Sequence, residues 1–159
     1  MLGKSKTQQP TDLAHLSAKK TGQTIFIWMI IWLAPLAGLA LFGAPILLIE
    51  IGQFFSMLAI VTFGGAYAVL AYLAQDAVGA FGWLSAPEMV DALGLAETTP
   101  GPLILVTQFV GFLAGFKEGG LWLGLSAAII VLWVTFVPCF LWIFTGAPYI
   151  EWISNQPRI

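Results

Sequence analysis

Charge is what this chain of 159 residues has least of: Asp, Glu, Lys and Arg together make up 9% of it. A soluble domain carries roughly 25%, because its surface must face water. With 59% hydrophobic residues and a mean hydropathy of +0.92, too few charges remain to cover a water-facing surface, and lipid is the indicated solvent. Cysteine is nearly absent. Cys139 alone excludes an intrachain disulfide and any thiolate metal spacing, and its apolar setting beside Pro138 points to a packed thiol. The single histidine, His15, lies in a polar N-terminal lead. The apolar runs therefore hold no His/Asp/Glu cluster and no nucleophile paired with a base, so no catalytic residue, metal or cofactor is expected and the chain does not read as an enzyme. A net charge of −2 indicates no polyanionic partner, nucleic acid included.

What is present is long uncharged sequence. No Asp, Glu, Lys, Arg or His falls within 23–49, 51–75, 98–116 or 119–150, and a helical span needs about 20 apolar residues. Aromatic residues near the run ends (Trp28, Tyr72, Trp83, Trp122, Tyr149 and Trp152) suit the headgroup level, though some of them only pack. Residues 1–24 form a polar lead with Lys4, Lys6, Lys19 and Lys20 against Asp12. It lacks a signal-peptide cleavage pattern, and the lysines place it on the cytoplasmic side.

The first span is expected from Ile25 to Phe42, with a kink at Pro35. Gly43-Ala44-Pro45 breaks the chain, and Glu50 punctuates it before a second run, 51–74, with Gly64-Gly65 near its middle and Asp76 at its end. Adjacent glycines weaken a helix and permit a break at membrane depth. Ser85-Ala86-Pro87-Glu88 has capping-box spacing, predicting a short interfacial helix from Ala86 to Ala96 with Glu88 and Asp91 on its wet side. Glu97-Thr98-Thr99-Pro100-Gly101-Pro102 stops one helix and starts another. In that next helix Gln108, Gly111 and Gly115 lie within about 60° of one another, a small and partly polar face. Helix packing is the default use of its glycines. Composition leaves open whether 98–116 crosses the membrane or returns to its starting side. Lys117-Glu118-Gly119-Gly120 reads as a tight polar turn, with Lys117 a snorkelling charge. The last run, 121–150, exceeds one straight span, and Pro138 and Gly146-Ala147-Pro148 are expected to divide or end it.

Two backbone breaks in apolar surroundings carry the functional reading. Freed N–H and C=O groups have no water to bond in lipid, so such breaks persist where they face protein or a polar cavity. The start of a half-helix offers free amides and partial positive charge to an anion. Thr98 or Thr99 can serve as N-cap, and Pro102 fits the first turn. The expected anion site is Thr98, Thr99, Pro100, Gly101 and Pro102, with Gln108 on the same helix and Gly64 and Gly65 as the opposite wall. A glycine pair alone is equally well a simple kink. If the helix from Ala86 continues, Glu97 lies about 20° from Val90 and about 40° from Leu93, on the expected apolar side. There it reads as a proton carrier or as a cap for free amides.

The same residues resemble the chromate-transport family. The segments FGGAYAVLAYLAQDAV, GWLSAPEMVDALGLAETTPGPLILVTQFVGFLAG and VTFVPCFLWIFTGAPYIE are similar to the second half of its long, two-domain members. The likeness runs from about Phe54 to Trp152. Phe63-Gly64-Gly65 and Thr99-Pro100-Gly101-Pro102 carry it most specifically. The resemblance implies efflux of chromate, a tetrahedral dianion, or of a sulfate-like oxyanion across the bacterial plasma membrane, by a secondary transporter without ATP. It also implies a partner, either a complementary half or a second copy, since the family's halves are similar and oppositely inserted.

The expected fold class is all-α: a polytopic membrane helix bundle with discontinuous helices, half of an inverted-repeat transporter. On this reading 1–24 is a cytoplasmic tail and 25–49 a connector transmembrane helix. Residues 50–153 form a half domain truncated at its C-terminus, and 154–159 a short polar tail. The competing expectation is a non-transporting membrane subunit that scaffolds a partner.

Overall fold

A computed structural model describes residues 11–61, 66–98 and 102–154. Its elements are all helical: α1 (Thr11–Leu41), α2 (Ile46–Val61), α3 (Ala66–Gln75) continued by a π-helical turn (Asp76–Ala80), α4 (Ala86–Thr98) and α5 (Pro102–Ser154). The expected all-α bundle is the fold found.

Helix α1 begins at Thr11, fourteen residues before the expected span. The lead expected as a tail is helical from there because extending an existing helix needs no new nucleus. Pro35 sits inside α1 without ending it. A proline gives no amide to the carbonyl four residues back, here that of Ile31. The indole Nε1–H of Trp133 donates to that carbonyl at 3.1 Å, so the missing bond is satisfied by another helix.

The expected break at Gly43 is a glycine-ended helix. Gly43 has φ +67°, and the Ala44 amide reaches back to the Leu39 carbonyl at 3.0 Å, the Schellman arrangement that stops α1. Pro45 then leads into α2, and the Leu48 amide bonds the Pro45 carbonyl at 3.0 Å. Glu50 does not punctuate this run: it lies exposed inside α2, because Pro45 had already set the start. Gly52 brings three helices together, since a methyl there would overlap Leu36 of α1 and touch Ile130 of α5.

Asp76 does not end its run either. It opens the π-turn, closed by the Phe81 amide on the Asp76 carbonyl at 2.9 Å, and Gly82 turns the chain with φ +63°. The wider turn aims Phe81 and Trp83 at α2. Their rings stack at 4.3 Å, and Phe54 meets Trp83 edge-on at 5.4 Å. Trp83 is thus core, whereas Trp122 is 80% exposed.

Helix α5 is two arms. Gly119 (φ −142°, ψ 18°) and Gly120 (φ 74°, ψ −163°) leave helical geometry, as the polar-turn reading anticipates, and the chain doubles back. Arms 102–118 and 121–154 then approach through glycine. A methyl on Gly115 would stand 2.7 Å from the Leu123 carbonyl oxygen, one on Gly124 2.9 Å from that of Phe112, and one on Gly111 2.5 Å from a Val131 methyl. The small face of the first arm is therefore a helix contact. The second arm runs unbroken past Pro138 and Gly146, against expectation. Pro138 is fully buried, and prolines are tolerated in apolar helices where neighbours compensate the lost bond.

The core lies between α2, α3, α4 and the two arms, built around Ile51, Phe55, Leu73, Val106, Val110, Val131 and Val134. The outer faces are also apolar: Phe26, Ile30, Trp122, Ile129, Ile143 and Phe144 are all half-exposed or more. Helices apolar on every side need lipid around them. Two stretches, Lys20–Leu41 and Leu103–Ala147, are long and apolar enough to cross a membrane, the second being the hairpin.

Candidate functional site

Both predicted breaks include residues outside the description. Gly64 and Gly65 lie outside the described residues, between α2, described to Val61, and α3, described from Ala66. Helix α4 is described to Thr98 and α5 from Pro102. Thr99, Pro100 and Gly101 likewise lie outside the described residues.

Among the described residues, the bonds of Thr98 run back into α4. Its hydroxyl donates backward to the carbonyls of Gly94 at 3.3 Å and Leu95 at 3.2 Å, closing the end of α4. A threonine in the last turn has those carbonyls within reach of its own side chain, a local bond that competes with capping the next helix. Pro102 does open α5, where a missing amide costs nothing. Further along, buried Thr107 donates to the Ile104 carbonyl at 2.9 Å, and Gln108 is half-buried.

The hairpin register fixes the level of that helix start along the second arm. With Gly115 against Gly124 and Gly111 against Ala127, Pro102 comes level with about residue 137 of the second arm. Residues 121–154 span about 51 Å as a helix, so the start of α5 stands near the middle of a rod longer than the ~30 Å hydrocarbon core. The first arm, about 25 Å long, reaches from that level to the turn at Gly119–Gly120.

Glu97 faces outward, against expectation. It is exposed, as is Val90, and α4 instead buries Met89 and Ala92. Glu97 is about 140° from Ala92 around the helix. The expectation failed because Val90 was taken as part of the inner stripe, while α4 turns Met89, Ala92 and Leu93 toward the core.

At the other end of α4 the expected capping box gains a partner that spacing could not reveal. Glu88 Oε2 accepts from the Ser85 amide at 2.7 Å, the Ser85 hydroxyl at 2.8 Å and the Lys117 ammonium at 2.9 Å. The Ser85 amide first, then Lys117, then the Ser85 hydroxyl hold this carboxyl at about 2, below its ordinary 4.5. Lys117 lies 29 residues from Glu88, and no local pattern joins them. Among the described residues no group of three or more His, Cys, Asp or Glu could hold a metal ion. A cleft of about 120 Å³ between α1 and α5 is lined by Pro35, Leu36, Ile129, Ile130, Trp133 and Val134. Those apolar walls offer nothing to an anion.

Comparison with known proteins adds what geometry does not. Residues 49–159 match the family model described as chromate transporter. A probable chromate transport protein of Synechococcus elongatus is 36% identical over 114 residues, 71% of this chain and 27% of its own length. A chromate transport protein of Cupriavidus metallidurans is 33% identical over 113 residues, 71% of this chain and 26% of its own. One from Pseudomonas aeruginosa is 42% identical over 60 residues, 38% of this chain and 14% of its own. The chain thus spans about a quarter of the length of the first two. No solved structure matches it. With the family model covering residues 49–159 of an all-helical chain whose outer faces suit lipid, the protein is membrane-embedded and belongs to the chromate transporter family.

Proposed function

We propose that this chain is half of a secondary transporter that moves chromate or a related oxyanion out across the bacterial plasma membrane. It works with a complementary half or a second copy. The observation that carries the reading is the level of the α5 start, at about the middle of a membrane-length arm. A half-helix N-terminus at that level offers free amides and about half a positive charge to a tetrahedral dianion. Family membership and the relatives' names support the substrate class. The lysines of the lead support a cytoplasmic N-terminus.

In this reading Pro102 and the segment Thr99-Pro100-Gly101 form the anion cradle, Gly64-Gly65 its opposite wall, and Gln108 a neutral donor on the same helix. Thr98 contributes by closing α4 and keeping its carbonyls turned from the anion. Glu97, on an outward face where a partner half would meet it, carries a proton or caps free amides. A carboxylate repels a dianion and is not a direct ligand. Alternating access needs two elements moving against each other, and the second is the partner.

The test is a chromate-sensitive host expressing this chain, a complementary half, or both. Resistance is expected with both, and from this chain alone only where it assembles with a second copy. No resistance from the correctly inserted pair overturns the reading. In the same pair Glu97→Gln separates the two roles, since it keeps shape and hydrogen bonding but cannot cycle a proton. Normal transport with unchanged pH dependence leaves the capping role alone.

A further inference from the structure

We propose that Trp32 of α1 and Ser56 of α2 hold one buried water between them, a polar bridge that fastens α1 to the rest of the bundle. The bridge is independent of the oxyanion reading above.

Both side chains are enclosed. Trp32 is 5% exposed and Ser56 9%, and Trp32 belongs to the hydrophobic core. Yet neither the indole Nε1–H nor the serine Oγ has a hydrogen-bond partner among the described residues. Comparable groups in the same chain are satisfied. The indole of Trp133 donates to the Ile31 carbonyl. Thr24, Ser126 and Cys139 each donate to the carbonyl four residues back in their own helices. Ser56 does not make that local bond, and an unmet donor in apolar surroundings is costly.

Helix register brings the two groups to one level. Helices α1 and α2 pack on each other across the turn at 42–45, and a methyl on Gly52 would overlap Leu36. Trp32 lies one turn before Leu36, and Ser56 one turn after Gly52. Four residues advance a helix by about 6 Å and rotate it about 40° beyond a full turn. One turn further from the loop on each helix, the Leu36–Gly52 contact is therefore followed by Trp32 against Ser56. A large donor and a small hydroxyl meet inside one interface.

The chemistry of the pair selects the occupant. An indole N–H only donates, whereas a hydroxyl donates or accepts. A cation finds no ligand in such an indole. An anion needs a countercharge, and 23–49 and 51–75 contain no charged residue, while Glu50 between them is itself negative. Burying an unpaired ion costs far more than burying a neutral molecule. Water suits both ends, since its oxygen accepts from Trp32 and one of its hydrogens goes to Ser56. Buried waters occupy such places, bonded to polar groups that lack other partners.

The bridge crosses the edge of the family match. Ser56 lies within the matched residues 49–159 and Trp32 outside them. Apolar contact alone gives helices in lipid little reason to associate, and polar links between them fix which faces meet. The water thus holds α1 at one rotation and one height against α2.

The test uses the full chain. Crystals from a lipidic phase, at a resolution that shows ordered water, are expected to hold one within hydrogen-bond reach of Trp32 Nε1 and Ser56 Oγ. In parallel, Trp32→Phe, Ser56→Ala and the double variant are unfolded in detergent. Each single change is expected to lower the folding equilibrium constant. The double change should lower it by about threefold less than the product of the two, the usual strength of a polar link between membrane helices. Trp32→Phe with Ser126→Ala is the control, because the Ser126 hydroxyl is bonded within its own helix, and there the effects should simply multiply. A direct Trp32–Ser56 bond in the crystal, or no water between the two, overturns the water. Effects of Trp32 and Ser56 that multiply, or a coupling no larger than the control's, overturn the bridge.

Discussion

Pro35 withholds an amide from the Ile31 carbonyl, and Trp133 supplies one in its place. An unmet carbonyl in apolar surroundings costs about 1–3 kcal/mol, so Trp133→Phe, which keeps the ring and drops the donor, should destabilise by about 1–2 kcal/mol. Unfolding in detergent measures it. Pro35→Ala returns the missing amide, so Trp133→Phe in that background should cost less, and equal costs in both backgrounds would contradict the pairing. Glu88 gives a second prediction at this scale. Folding lowers its carboxyl from the ordinary 4.5 to about 2. The stabilisation it lends α4 is therefore full above 4.5 and lost as pH falls toward 2. Carboxyl carbon chemical shifts should place its inflection near 2, and Lys117→Met should move it upward. An inflection at 4.5 in the unaltered chain contradicts the network. Ser85-x-x-Glu88 was legible in sequence because capping is local, and Lys117 was not, because a contact across 29 residues has no period to betray it.

Among elements, α5 depends most on the absence of side chains. Gly115 and Gly124 let two backbones come closer than any Cβ allows. Gly115→Val should destabilise the hairpin by about 1–3 kcal/mol through overpacking. Thermal unfolding in detergent checks the cost, and unchanged stability would contradict the close approach. Sequence showed the stops that act through backbone geometry: Gly43 and Gly120, both at positive φ. It misplaced those that act only by chemistry. Asp76 was taken as an end but opens a wider turn, and Glu50 sits exposed within a helix already begun. Pro138 was taken as a breaker, yet a proline ends a helix only where nothing compensates the lost bond. The lead from Thr11 is helical by continuation from an apolar neighbour, which its own polar composition could not signal.

At the scale of the whole molecule, composition alone identified lipid as the solvent, because 9% charge leaves too little to cover a wet surface. The start of α5 at Pro102 was legible, since proline favours the first turn of a helix. Its level along the second arm was not, because that depends on which glycines of the two arms meet. Glu97 shows the same limit: a helical wheel finds faces, and only packing decides which one turns inward. The central claim is that this chain supplies half of an oxyanion path and needs a second half to use it. Chromate flux into proteoliposomes holding this chain, a complementary half, or both in equal amounts tests that claim most directly. Flux well above protein-free vesicles only when both are present is the predicted result. Full flux from this chain without a complementary half, shown monomeric in the same vesicles, would contradict the need for a second half, and no flux from the assembled pair would contradict the path itself.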